Sequence, residues 1–399
     1  MFRNNSGARF ALGAGGVIQV SLRAAGVLLI LCCVPAAQAE TSTSDPAAST
    51  SAVHAAKSKA DKLHGWSFQI ELTGRWDDNI TELSDTDRSR VGDPNYADRF
   101  KIQTVDDWIV SPSARAEWSH EPASHFGTSV RFDVRASLYK RNSIKNFEIY
   151  DLRIAQDLSP AKKYTTRLVV RGGYTPDTYL RELSVPQATL DNQGLTVRDS
   201  ARYSDAPYSF AVEQVLAPKQ LELTVQVGNK KRNYDMPFDE RDGDLTDYQG
   251  RLDWAPLADR KFSLQFGYRV GSYDAAGDRA ETPALEPDIS SDRRALMAGG
   301  DVRWGNRERR GFVSLDALRE ARDFTSDNPA DTDYFDRNDT LLEVRVTVHQ
   351  AIRGDLYLEG GLYHKRNSSN LGSGASTSGT DDVTDYTRNV ISFWCGWRY

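Results

Sequence analysis

From Trp66 onward, apolar and polar residues alternate along the chain with a period of two. One run places apolar side chains at every second position, separated by Ser, Gln, Gly and Arg: Phe262, Leu264, Phe266, Tyr268 and Val270. Similar runs cover 130–138, 221–228 and 342–348. Because neighbouring side chains of a strand point to opposite faces, each run predicts a strand with one apolar and one polar face.

The length of these segments separates two kinds of β protein. Strands of soluble sandwiches also alternate, but they are typically about five or six residues long. Here the segments have about ten residues or more, which a tilted strand needs to cross a bilayer. Short turns alternate with long polar loops, except that the connection at 140–146 is short. The long loops are predicted near 78–105, 175–206, 233–245, 274–292, 323–337 and 367–383.

Tight turns at one end and long loops at the other are typical of outer-membrane barrels. The fold class predicted is therefore all-β, a transmembrane antiparallel up-and-down β-barrel of about 14 strands. Twelve to sixteen strands stay open, because the segment near 106 and the 175–206 loop are ambiguous. The strands are predicted to begin near 66, 106, 125, 147, 162, 207, 219, 246, 261, 293, 310, 338, 355 and 384.

Tryptophans near the segment ends fit the same fold, because indole rings favour the bilayer interface. They are Trp66, Trp76, Trp108, Trp118, Trp254, Trp304 and Trp397.

The first part of the chain has the composition of an export signal. Arginines precede an apolar run at 24–34, and Ala37 and Ala39 supply small residues before a cleavage position at Glu40. Such a run is too short to span a membrane. The predicted organisation is a cleaved signal peptide at 1–39, a flexible periplasmic tail at 40–63, and an outer-membrane β-barrel at 64–399. Localisation in the bacterial outer membrane follows from it.

Composition excludes several other classes. The chain has 399 residues with a net charge of −6, and an acidic balance disfavours nucleic-acid binding. Cys395 is the one cysteine outside the N-terminal apolar run, so an internal disulfide or a sulfur metal cluster is not expected. No catalytic motif is readable, so the chain is not expected to be an enzyme, and no cofactor or metal is predicted. The acidic stretches 239–244 and 327–333 are interpreted as solvated loops.

The last segment, 390–399, carries Ile391, Phe393, Cys395, Trp397 and Tyr399 on one face. It resembles the C-terminal signal by which the barrel-assembly machinery recognises outer-membrane barrels, with Tyr399 in place of the common Phe. The resemblance implies that Phe393, Trp397 and Tyr399 form the assembly signal.

The stretch 74–80, Gly-Arg-Trp-Asp-Asp-Asn-Ile, is similar to a stretch of some putative porins, including barrels associated with exopolysaccharide export. This resemblance implies membership of a broad barrel group. A simpler interpretation is that Asp and Asn end strands well, because their side chains bond the local backbone in turns.

The polar face predicts a charged lumen in which arginine far outnumbers lysine. The pore-lining candidates are Arg75, Arg115, Arg131, Asp133, Arg135, Arg153, Arg167, Arg171, Arg251, Asp253, Arg269, Arg303, Glu343, Arg345 and Glu359. Such a lining passes small hydrophilic solutes, and arginine suits anionic or sugar-like ones. Alternatively, the charges pair with one another and fill the lumen.

Two hypotheses follow. The first is a porin-like channel for small hydrophilic or anionic solutes, with a link to exopolysaccharide export left open. The second is a non-conducting barrel with a structural or partner-binding role. The partners expected are outer-membrane lipid and lipopolysaccharide, the barrel-assembly machinery, and a glycan or small anionic solute.

Overall fold

The computed structural model describes residues 65–398, except 98, 124–125, 162–163, 185–197, 219, 257–260, 277–287, 306–309, 328–330, 332, 354 and 372–384. The predicted signal peptide, the predicted tail and the terminal Tyr399 lie outside these residues.

Fourteen strands make up nearly all of the regular structure in the described residues. They are β1 (Gly65–Asp77), β2 (Asp107–Ala123), β3 (Phe126–Tyr139), β4 (Phe147–Ala161), β5 (Tyr164–Ser184), β6 (Arg198–Ala217), β7 (Leu221–Tyr234), β8 (Gly243–Trp254), β9 (Phe262–Ala275), β10 (Ser291–Trp304), β11 (Gly311–Phe324), β12 (Asn338–Arg353), β13 (Leu356–Ser369) and β14 (Tyr386–Arg398). The connections hold one short α-helix, α1 (Asp85–Arg88), and 3₁₀ turns at Pro94–Tyr96, Ser143–Lys145 and Asp239–Arg241.

Each strand pairs antiparallel with its neighbours in the chain, and β1 pairs with β14 to close the sheet. The closing register runs from Gln69 opposite Arg398 to Asp77 opposite Val390. Closure removes both free edges, so the backbone hydrogen bonds of every strand can be satisfied within the sheet. The predicted fold class, an up-and-down barrel of fourteen strands, is confirmed.

The outward face of the barrel is apolar and exposed. Leu296 is 63% exposed, Ile70 61%, Phe393 59% and Leu362 56%. A soluble monomer rarely leaves large apolar side chains open over a continuous surface, whereas a barrel in a bilayer buries them in lipid. Within the described part of the chain, no helix is long and apolar enough to cross a membrane.

The predicted strand boundaries hold with one exception. Every predicted start except that of β6 falls within three residues of the observed one. The predicted loop at 175–206 was wrong at both ends, because β5 continues to Ser184 and β6 begins at Arg198. Register shifts between Thr175 and Thr178 and again near Arg181 break the two-residue alternation there.

Candidate functional site

The inward face of the barrel carries every charged residue that the sequence analysis assigned to the lumen. The strand registers place Arg115 beside Asp133 and Arg345 beside Asp316, on the face opposite the exposed apolar side chains. By the same registers, this face includes Arg75, Arg115, Arg131, Asp133, Arg135, Arg153, Arg167, Arg171, Arg251, Asp253, Arg269, Arg303, Glu343, Arg345 and Glu359.

Ion pairs link many of these inward charges. Asp133 lies 2.5 Å from Nε of Arg115 and 2.7 Å from Nε of Arg131. Arg167 Nε lies 2.5 Å from Asp157 Oδ1. Further pairs at 2.5–3.1 Å join Arg251 to Asp253, Arg303 to Asp301, Arg269 to Glu320 and His349 to Glu359. These pairs place positive and negative side chains next to each other on the inward wall.

Pairing does not remove these side chains from water at the end of the barrel that carries the short turns. There the Arg303 side chain keeps 36% of its surface exposed, Asp253 34% and Arg131 29%. At the opposite, long-loop end, the side chain of Asp77 is 0% exposed and that of Asp339 2%. The inward charged side chains are therefore accessible at the short-turn end, which we call the wide end, and closely packed at the long-loop end, which we call the narrow end.

Three arginines stand side by side across neighbouring strands in the wide part. Arg131 of β3 lies opposite Arg153 of β4, which lies opposite Arg171 of β5. Like charges directly opposite each other destabilise a sheet. Asp133 and Glu213 offset part of this repulsion, since Glu213 is 3.8 Å from Arg153. We call Arg131, Arg153 and Arg171 the arginine row.

The connection between β1 and β2 crosses the narrow end. We call residues 78–106, which join β1 to β2, the strap. At one side Glu82 of the strap bonds Lys365 of β13, and at the other Lys101 bonds Ser200 of β6 at 2.7 Å. β13 and β6 lie seven places apart in either direction around the fourteen-strand barrel. The strap therefore runs from one wall of the mouth to the opposite wall.

Glu82 is the main polar anchor of the strap. Its carboxylate accepts hydrogen bonds from Lys365 Nζ at 2.8 Å and Arg388 Nη1 at 2.9 Å. Burial by itself raises the pKa of Glu82, but the charges of Lys365 and Arg388 outweigh it and hold the pKa well below the usual value. The backbone of Glu82 has φ 57°, a left-handed conformation that costs a non-glycine residue about 1–2 kcal/mol. The two cation contacts stabilise this strained residue.

The Asp-Asp-Asn stretch at the junction of β1 and the strap ties the strap to the last strand. Asp77 accepts from Arg388 Nη2 at 2.5 Å, and Asp78 accepts from the backbone N–H of Asn389 at 2.6 Å. Asn79 accepts from the Leu83 N–H at 2.8 Å, which is the local turn bond expected of such residues. The stretch therefore ends β1 locally and also fastens the β1–β14 seam.

Apolar side chains near both ends of the strap pack on the wall. Leu83 and Ile102 form a buried cluster with Tyr179 of β5, which is 2% exposed. Phe100 and Ile144 pack against the same cluster. Burying these side chains contributes about 1.5–3 kcal/mol each relative to exposure, so the strap is held by packing as well as by charge.

Lys145, in the connection between β3 and β4, lies beside the strap. Its Nζ donates to the backbone oxygen of Tyr179 at 3.3 Å and lies 5.3 Å from the centre of that ring. Burial and the nearby charges of Arg388 and Arg181, partly offset by Glu82, lower the pKa of Lys145 to about 7. Because its pKa lies near 7, Lys145 at the narrow end is able to gain or lose a proton around physiological pH.

No group of three or more His, Cys, Asp and Glu side chains that could hold a metal ion occurs among the described residues. The prediction that the chain is not an enzyme stays a prediction.

Sequence reasoning found the charged wall but missed the strap and an inward aromatic group. The Asp77–Asn79 stretch marked the start of the strap, yet nothing in 80–106 indicated where its partners lie. Trp394 lies on the inward face, opposite Glu359. The alternation of side chains along β14 could have indicated this, since the flanking Phe393 and Cys395 are exposed on the outer face.

The closed sheet, the apolar outer belt and the charged interior define a β-barrel of the outer-membrane type. A scan against protein-family models gives no match, and a search of the curated proteins gives none either.

A search of solved structures gives matches at low identity. The CymD monoaromatic hydrocarbon channel is 9% identical, with 84% of this chain and 89% of that chain covered and a TM-score of 0.43. An anion-selective porin from Comamonas acidovorans is 8% identical, with 84% and 98% covered and a TM-score of 0.37. OmpT of Vibrio cholerae, folded in vitro, is 8% identical, with 84% and 97% covered and a TM-score of 0.40.

Proposed function

We propose that the protein is a porin-like channel of the bacterial outer membrane for small hydrophilic solutes, with a preference for anions. The observation that carries the proposal is the inward face itself. Its charged side chains remain about one-third exposed at the short-turn end, as Arg303 and Asp253 show. A charged wall in contact with water favours polar solutes and excludes apolar ones. Short turns face the periplasm in such barrels, so the wide end is assigned to the periplasmic side.

The arginine row supports the preference for anions. Three guanidinium groups on adjacent strands place positive potential along one wall, and arginine binds carboxylates and phosphates through paired N–H donors. The strap makes the opposite mouth the narrowest part, so it sets the size of the solute that passes. Small solutes pass beside it, and larger ones require it to move.

Planar-bilayer recordings test the proposal directly. The purified barrel is expected to give discrete conductance steps, and its reversal potential in a KCl gradient is expected to have the sign of chloride selectivity. The matched control is the same protein heated until it loses the compact mobility of a folded barrel on a gel. Folded protein that inserts without any step contradicts the proposal.

A second candidate is a non-conducting barrel with a structural or partner-binding role. One observation favours it, because the strap crosses the mouth and is fixed at both walls through Glu82 and Lys101. In that case a variant with a shortened strap conducts while the wild-type protein stays silent.

A further inference from the structure

The inward face near the short-turn end carries aromatic rings on four adjacent strands. Phe312 of β11 stacks on His349 of β12, with ring centres 4.9 Å apart and an angle of 10° between the planes. His349 lies 5.1 Å from the ring of Tyr357 on β13, and Trp394 follows on β14. We call Phe312, His349, Tyr357 and Trp394 the aromatic strip. Phe312 and Tyr357 are each the second residue of their strand, so the strip lies at the wide entrance.

Two glycines allow rings of the strip to lie across the wall. A Cβ atom at Gly396 would come within 2.2–2.6 Å of Tyr357 ring atoms and its hydroxyl. A Cβ atom at Gly361 would come within 2.9–3.0 Å of the outer edge of the Trp394 indole. Each ring therefore covers the inward side of a glycine on the neighbouring strand. Both side chains are only half-buried, so part of each ring stays accessible on the inward side of the sheet.

Hydrogen-bonding groups border these rings. Glu359 lies opposite Trp394 in the sheet and is 3.1 Å from His349 Nδ1. The Tyr357 hydroxyl donates to Glu71 and accepts from Gln69 Nε2 at 2.8 Å. The border thus combines two carboxylates with an amide, groups that accept hydrogen bonds from hydroxyls.

We propose that the aromatic strip is a binding site for a neutral sugar chain. The C–H bonds on one side of a pyranose ring form an apolar face, which stacks on the electron-rich face of an aromatic ring. The hydroxyls at the sugar's rim then reach Glu71, Gln69 and Glu359. The two carboxylates disfavour an anionic solute at this place, and a bare hydrocarbon would leave the bordering polar groups without new partners. The inference rests on the proposed channel function, since the lumen is the route by which a sugar would pass beyond the entrance.

Titration calorimetry tests the site in a detergent without a sugar headgroup, such as lauryldimethylamine oxide. Maltohexaose, cellohexaose and isomaltohexaose serve as probes, and benzoate serves as the anionic aromatic comparison. Binding of at least one hexasaccharide is expected. Trp394→Ala and Tyr357→Ala should each weaken that binding about ten-fold, the size expected for a lost stacking face. Tyr357→Phe, which keeps the ring, should change it by about two-fold or less.

Trp304→Ala is the matched control, because Trp304 is an outward-facing tryptophan, 42% exposed. It should leave sugar binding unchanged. Gel mobility before and after heating reports whether each variant folds, and Trp394→Leu replaces Trp394→Ala if the latter does not. The proposal is overturned if none of the hexasaccharides binds, if benzoate binds in their place, or if a folded Trp394 variant binds as the wild type does.

Conductance of the same preparations separates this inference from the channel proposal. If the protein conducts but binds no sugar, the sugar-binding inference is overturned and the channel proposal stands. If the protein never conducts but binds sugar in a way that depends on Trp394, the sugar-binding inference is supported and the channel proposal is overturned.

Discussion

Arg388, near the start of the last strand, pairs with Asp77 at the end of the first. Arg388 Nη2 is 2.5 Å from Asp77 Oδ2, and the two side chains are 13% and 0% exposed. Because β1 and β14 close the barrel, this ion pair fastens the seam between the two ends of the sheet. Arg388 also binds Glu82, so one guanidinium group holds both the seam and the strap.

Arg388→Met should destabilise the barrel strongly. It leaves the buried Asp77 carboxylate without its counter-charge, a loss that typically costs about 3–5 kcal/mol. Unfolding in urea, followed by tryptophan fluorescence in lipid vesicles, measures the change. Arg294→Met is the control, because the Arg294–Asp323 pair at 3.4 Å is 63% and 43% exposed, and such a pair contributes less than about 1 kcal/mol. Equal destabilisation in the two variants contradicts the assignment.

Glu82→Gln should loosen the strap without altering the wall. The amide keeps the shape of the side chain but gives up the charge that attracts Lys365 and Arg388. We expect higher mean conductance and more frequent fluctuation between levels in single-channel records. Asp85→Asn is the control on the same strap, since the Asp85 side chain is 97% exposed. Conductance that rises equally in both variants shows that Glu82 does not anchor the strap.

Lys145 should make stability depend on pH in the alkaline range. Burial lowers the pKa of Lys145 from 10.5 to about 7, so between these values the unfolded chain holds a proton that the folded protein has lost. Stability therefore rises as the pH rises from about 7 to about 10.5, and the cost of burying this lysine is present in full below pH 7. Unfolding midpoints measured across this range should rise in the wild type relative to Lys145→Met. Lys140→Met, which changes an exposed lysine nearby, should retain the wild-type slope.

The fold was predictable from sequence because each strand carries its own signal. Alternation at 262–270 fixes both the strand and the face that meets lipid, and a one-residue slip would turn every side chain to the wrong side. The same parity placed Arg131 and Arg153 on the inward face. Each of these inferences needs a few consecutive residues and no knowledge of distant partners.

The strap and the extended β5–β6 hairpin were not predictable in the same way. The strap lacks a regular alternation of apolar and polar residues, and the residues that hold it, such as Lys365, Arg388 and Tyr179, belong to distant strands. The sequence did not indicate the β5–β6 extension, because register shifts there interrupt the alternation of apolar and polar residues. Trp394 shows a third limit, since parity gives its face but not the glycine that its ring covers.

Arg171→Gln should reduce the preference for anions. A unit charge about 7 Å from the solute path contributes about 0.6 kcal/mol in water. Losing that energy changes the local concentration of a monovalent ion by about two- to three-fold. The concentration of anions falls and that of cations rises. The reversal potential in a KCl gradient should therefore move towards the potassium side, and further in low salt because screening is weaker there.

Arg319→Gln is the control, since Arg319 shares the outward face with Leu296 and Leu342. A reversal potential that is unchanged in Arg171→Gln, or shifted equally by both substitutions, removes the arginine row as the source of selectivity. A shift confined to Arg171 and larger in low salt places the selecting field on that wall of the lumen.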